Sequence, residues 1–119
     1  MPYISCLMRT VVETPAYLDD AERLLTPAER EAIVDMVSAD PLCGAVVPGA
    51  GGVRKVRVGV EGHGKRGGAR VIYLFGGDDV PVFLLALFAK NEKTDLTAAE
   101  RNALGKSVAV MLEDYRKQT

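Results

Sequence analysis

Tryptophan is absent from the 119-residue chain, histidine occurs once and cysteine twice, and each scarcity removes a class of function. With His63 the lone histidine and neither a CxxC nor an HExxH pattern, the usual zinc sites lack ligands. A nucleophile–histidine–acid triad would rest on that one residue, in a glycine-rich hairpin. Cys6 and Cys43 fall in different expected elements, which suits buried or idle thiols in a reducing compartment rather than a disulfide framework. Long apolar runs are missing as well. The longest, Val80 to Ala89 between Asp79 and Lys90, is about half of what a transmembrane helix needs. The N-terminus lacks a basic leader, and Arg9 interrupts its apolar stretch, so a cytoplasmic protein without a cleaved signal is expected. Nucleotide fingerprints fail too. After Gly59 and Gly64-Lys65, Arg66 stands where a phosphate-binding loop needs Ser or Thr, and Arg54 replaces the third glycine that a dinucleotide motif would place after Gly49. No metal and no cofactor are expected.

What is present is one folding unit. A chain that is 48% apolar and 26% charged reads as a single domain over residues 1–119. At this size it buries roughly two-thirds of its unfolded surface, enough for a core without staples. The net charge of −1 conceals an asymmetry: residues 1–53 sum to −5, residues 54–70 to +5 and residues 71–119 to −1. Such a balance argues against a general nucleic-acid coat, while the central block is suited to a local anionic ligand.

Residues Tyr3 to Val12 read as a first strand ended by Glu13-Thr14-Pro15. Leu18, Ala21 and Leu25 then form the stripe of a short helix. A second helix opens with Thr26 as cap, Pro27 at its first position and Glu29 completing a capping box, and runs to about Ala39. Between Gly44 and Gly68 there are nine glycines in 25 residues. Within that stretch Val53 to Val60 alternates, with Val56, Val58 and Val60 on one face and Lys55 and Arg57 on the other. Ala69 to Phe75 reads as a central strand, and Val80 to Ala89 as a strand buried between layers with Pro81 near its start. Thr97 and Glu100 repeat the capping box before a closing helix striped by Leu104, Val108, Met111, Leu112 and Tyr115. The expected fold class is α+β: a small domain of β-α-α-β-β-β-α order, an antiparallel sheet with the helices packed on one face.

The block Arg54, Lys55, Arg57, Lys65, Arg66 and Arg70 invites a functional reading. A solvated sheet face explains isolated lysines, but this cluster has only Glu61 as a nearby acid in sequence, and its cations repel one another. A phosphodiester would relieve that repulsion. RNA cleavage needs few special residues, since a 2′-hydroxyl can attack its own neighbouring phosphate once the charge that develops is stabilised. Clustered cations do this, and a lysine crowded by other cations can also exchange a proton near neutrality. Lys55, Arg57 and Arg70 are expected to converge on one exposed, concave face, with Arg54, Lys65 and Arg66 binding RNA around them.

Three stretches carry a resemblance: Val46-Val47-Pro48-Gly49-Ala50-Gly51-Gly52-Val53-Arg54-Lys55-Val56-Arg57, then Gly64-Lys65-Arg66-Gly67-Gly68-Ala69-Arg70-Val71-Ile72-Tyr73, then Ala89-Lys90-Asn91-Glu92-Lys93-Thr94-Asp95-Leu96-Thr97. Over about residues 26–115 the chain resembles the RelE/HigB-like toxins of bacterial type II toxin–antitoxin systems. That resemblance implies a ribosome-dependent mRNA endoribonuclease that halts translation, and an antitoxin partner carrying a helix-turn-helix domain. It matches Lys55, Arg57 and Arg70 to basic positions that contact and cleave RNA, and adds Lys90 and Lys93 as catalytic candidates. No Tyr or His follows Lys93 directly, where some relatives place an acid–base group. The same fold also hosts ParE-type toxins that poison DNA gyrase without cleaving RNA, and a domain that only binds an antitoxin is a third reading.

Overall fold

The computed structural model describes residues 9–60, 68–89 and 95–118. Along them run β1 (Val11–Glu13), α1 (Pro15–Leu24), α2 (Pro27–Ala39), β2 (Ala45–Val46), β3 (Val53–Val58), β4 (Ala69–Leu74), β5 (Val82–Ala89) and α3 (Ala98–Gln118). The α+β order follows expectation with one insertion, the two-residue β2, which pairs antiparallel with β3. Most of the strand expected over Tyr3 to Val12 lies outside the described residues, and β1 occupies only its end.

Local chemistry explains the helices. Thr26 Oγ1 accepts the Glu29 N–H at 3.2 Å while Glu29 Oε1 accepts the Thr26 N–H at 2.9 Å, so two otherwise orphaned donors are satisfied reciprocally and Pro27 follows at the first helical position. The Thr97–Glu100 pair repeats this at α3, at 3.1 and 2.8 Å. Thr14 is also a cap, with Pro15 behind it. Its hydroxyl donates to the Leu84 carbonyl at 2.7 Å, which pins the start of α1 to β5.

The sheet order is β1-β5-β4-β3-β2. Strands β3, β4 and β5 form the expected antiparallel meander. The first strand joins it in parallel, Val11 beside Val82 and Glu13 beside Leu84, so the sheet is mixed rather than wholly antiparallel. No hairpin ties β1 to β5, and two helices and three strands intervene. The β4–β5 ladder is broken once: Ile72 faces Ala86 and Tyr73 faces Leu84, leaving Leu85 as a bulge. Just beyond it, the Leu87 N–H donates to Asp20 Oδ2 of α1 at 3.2 Å.

The expectation of helices on one face is corrected. Tyr17, Ala21, Leu24, Ile33 and Val37 of α1 and α2 pack with Val71, Tyr73, Val82 and Leu84, whereas Val108 and its neighbours on α3 pack with Val53, Ile72, Leu74, Phe83 and Phe88. Successive residues of β4 thus enter two different cores. A strand apolar on both sides needs a layer on each, and α3 supplies the second. No helix among the described residues is long and apolar enough to cross a membrane.

Candidate nucleic-acid interface

The alternation in β3 sets the site. Val56 and Val58 turn toward the α1–α2 core, and Val53 toward α3. With a period of two, Lys55 and Arg57 share the α3 side. On β4, Ile72 and Leu74 also belong to that side, and Arg70 lies two residues before Ile72. Register completes the grouping, because Arg57 pairs directly with Arg70 and Lys55 with Ile72. Gly68 makes this pairing possible where the chain enters β4. Its φ is +101°, and a Cβ there would lie 2.5 Å from the Val58 carbonyl oxygen, so the close strand crossing requires glycine.

Lys55, Arg57 and Arg70 are therefore brought together on one face. Lys55 and Arg70 are half-buried and Arg57 is exposed. On that face α3 packs with Val53, Ile72, Leu74, Phe83 and Phe88, and Phe88 is the β5 neighbour of Arg70. Directly opposed like charges are destabilising, so the Arg57–Arg70 pair is a feature that stability alone does not favour. Arg57 also borders a groove with Glu29, Ile33 and Met36, on the part of β3 that β2 leaves uncovered.

Arg54 does not join them. One residue out of phase, it points to the opposite side, where its Nη1 donates to the Gly44 carbonyl at 2.7 Å. Tyr73, its cross-strand partner, donates to the Pro41 carbonyl at 2.7 Å and accepts the Gly44 N–H at 2.8 Å. Arg54 and Tyr73 together hold the turn that leads into β2, so Arg54 is not grouped with Lys55, Arg57 and Arg70. Lys65, Arg66, Lys90 and Lys93 lie outside the described residues.

The view that these cations lack a nearby counter-ion also changes. Asp95, 40 residues beyond Lys55, places Oδ2 at 2.7 Å from Lys55 Nζ. The lysine ammonium holds the Asp95 carboxyl below its ordinary range, helped by the Leu96 N–H and by the charge of Arg70, so at neutral pH it is an anion among cations. Its proximity to the Thr97 cap was the only local signal, and nothing in the spacing links it to β3. Cys43, expected to be buried or idle, is an exposed free thiol.

Among the described residues, a mixed five-stranded sheet with two helices on one side and one on the other, and a cationic cluster on its β3–β4 strands, defines a small α+β protein. The model of the family described as RelE toxin of the RelE/RelB toxin–antitoxin system matches residues 29–119, and the chain belongs to that family. It is a toxin of the toxin–antitoxin type, and membership implies an antitoxin partner. The match begins within α2, so β1 and α1 precede it. Among solved structures, Escherichia coli toxin RelE in the free state, a variant with two arginines replaced by alanine, is similar at TM-score 0.54 and 15% identity, over 72% of this chain and 87% of that one. At that identity the likeness concerns the fold.

Proposed function

We propose that this toxin is an mRNA endoribonuclease that acts on the ribosome and halts translation. The observation that carries the reading is that the register and alternation of β3 and β4 group Lys55, Arg57 and Arg70 on one face of the sheet. In the reaction the 2′-hydroxyl loses its proton and attacks the adjacent phosphorus, negative charge builds on the phosphorane, and the 5′-oxygen leaves with a proton. The products are a 2′,3′-cyclic phosphate and a 5′-hydroxyl. Preorganised cations stabilise the phosphorane charge in place of a metal, and one such donor is worth about 10²–10³ in rate. Lys90 and Lys93 complete the catalytic set in this reading, and Lys65 and Arg66 steer the strand. The partner is an antitoxin with a helix-turn-helix domain, the compartment is the cytoplasm, and residues 1–119 act as one domain.

The test is to induce the wild type and a Lys55→Ala/Arg70→Ala variant, then map the 5′ ends of cellular mRNA. Growth arrest should coincide with cuts inside translated messages that bear 5′-hydroxyl ends, and both should fade in the variant. Purified toxin with programmed ribosomes should cleave in the presence of a chelator, once ribosome integrity is controlled for. Arrest with intact mRNA and altered DNA supercoiling would move the assignment to gyrase poisoning, and no arrest in any host would leave an antitoxin-binding domain.

A further inference from the structure

The carboxylate on the cationic face has no part in the reaction above. Asp95 Oδ2 stands 2.7 Å from Lys55 Nζ, with the Lys55 side chain 23% exposed and that of Asp95 48%. Its other oxygen accepts the Leu96 N–H at 2.8 Å. The contact is not needed to start α3, which is capped by Thr97 and Glu100, and an ion pair this exposed contributes little to stability. What it does is chemical. A carboxylate oxygen and a phosphodiester oxygen ask the same of an ammonium group, an anionic acceptor at hydrogen-bond distance. The lysine cannot give its best-aligned donor to both.

We propose that Asp95 is a gating residue for the substrate: an internal anion that occupies Lys55 in the free toxin and is exchanged for an RNA phosphate on binding. The proposal rests on the RNA reading of this face. It also gives the face a selectivity. A lone small anion must displace Asp95 for one contact, whereas a polynucleotide that displaces it also reaches Arg57 and Arg70, the opposed pair on the adjoining strands. Strands of several phosphates are favoured over single anions.

The test uses a single-stranded RNA oligonucleotide methylated at every 2′-oxygen, which cannot supply the attacking hydroxyl. It is titrated by fluorescence anisotropy into the wild type, Asp95→Asn, Asp95→Ser, Lys55→Ala, Arg70→Ala and the Asp95→Asn/Lys55→Ala double variant. Asparagine keeps the side-chain shape and the acceptor for Leu96, and Asp95→Ser provides a second, smaller replacement whose thermal melt reports on folding. Asp95→Asn and Asp95→Ser should bind the oligonucleotide about two- to fivefold more tightly, the scale of one exposed ion pair, and most of that gain should vanish in the Lys55→Ala background. Unchanged or weaker binding by both Asp95 variants, with Lys55→Ala still weaker than wild type, would overturn the gate and leave the RNA reading standing. Wild-type binding by both Lys55→Ala and Arg70→Ala would instead overturn the RNA reading, and the gate with it.

Discussion

Removing one hydroxyl should have opposite effects at two buried tyrosines. Tyr73 and Tyr17 are both fully buried. The Tyr73 hydroxyl donates to the Pro41 carbonyl at 2.7 Å and accepts the Gly44 N–H at 2.8 Å, and Pro41 and Gly44 are themselves buried. Tyr73→Phe keeps the ring and its packing but orphans one donor and one acceptor. A buried group left unsatisfied costs about 1–3 kcal/mol. The turn is flanked by the exposed Leu42 and Cys43, so water can recover part of this, and a net loss of about 2–3 kcal/mol follows. The Tyr17 hydroxyl has no hydrogen-bond partner among the described residues. Tyr17→Phe therefore removes a dehydrated polar group at no loss of a bond, and should stabilise by about 1 kcal/mol. Urea denaturation of the purified chain checks both. With a slope of about 1–3 kcal/mol/M, the midpoint should fall by about 1 M or more for Tyr73→Phe and rise by about 0.5 M for Tyr17→Phe. Shifts of the same sign and similar size would refute the hydrogen-bond accounting.

Burial raises the pKa of both tyrosines above the ordinary 10.0, with Glu13 adding to the effect at Tyr17 and the Cys43 contact at Tyr73. The unfolded chain releases these protons first, so stability is intact below pH 10 and falls steadily as the pH rises above it. The share of tyrosinate absorbance at 295 nm that belongs to Tyr17 and Tyr73, read as the difference from the Tyr→Phe variants, should then rise together with loss of structure. At the far end of α3, Arg116 Nε and Nη2 grip Asp79 at 2.6 and 3.0 Å, and this hydrogen-bonded pairing holds the Asp79 carboxyl below its ordinary 3.8. Its contribution is present above that value and lost as pH falls through the lower folded one, so the protection of amides in the last turns of α3, measured against their intrinsic exchange rates, should fall in acid or high salt, and Arg116→Ala should abolish the dependence. Gly44→Ala would place a Cβ 2.8 Å from both the Lys55 carbonyl oxygen and the Tyr73 hydroxyl. Overpacking of this kind costs about 1–3 kcal/mol, and the loss should be non-additive with Tyr73→Phe.

The features legible in the sequence are those decided within a few residues. Thr26-Pro27 with Glu29 is a complete cap in four positions, and the observed α2 begins at Pro27 and ends at Ala39. Thr14-Pro15 has the same beginning but no Glu three residues after Thr14, and it read as the end of a strand rather than the start of α1. Alternation in β3 separates Lys55 and Arg57 from Val56 and Val58, yet it is silent on what covers each side. That depends on where α3 lands, and the helix lands through Val108 and Gly105, whose missing side chain lets it approach the Gly49 carbonyl. Alternation assigns Arg54 to the face opposite Lys55, a separation that their shared charge does not show. Asp95 belongs to a different kind of information. It meets Lys55 only because the β3–β4–β5 meander returns the chain to one side of the sheet, a relation across 40 residues that no local pattern encodes. The cationic block therefore locates the site in sequence, while the identity of its internal counter-ion follows from the fold.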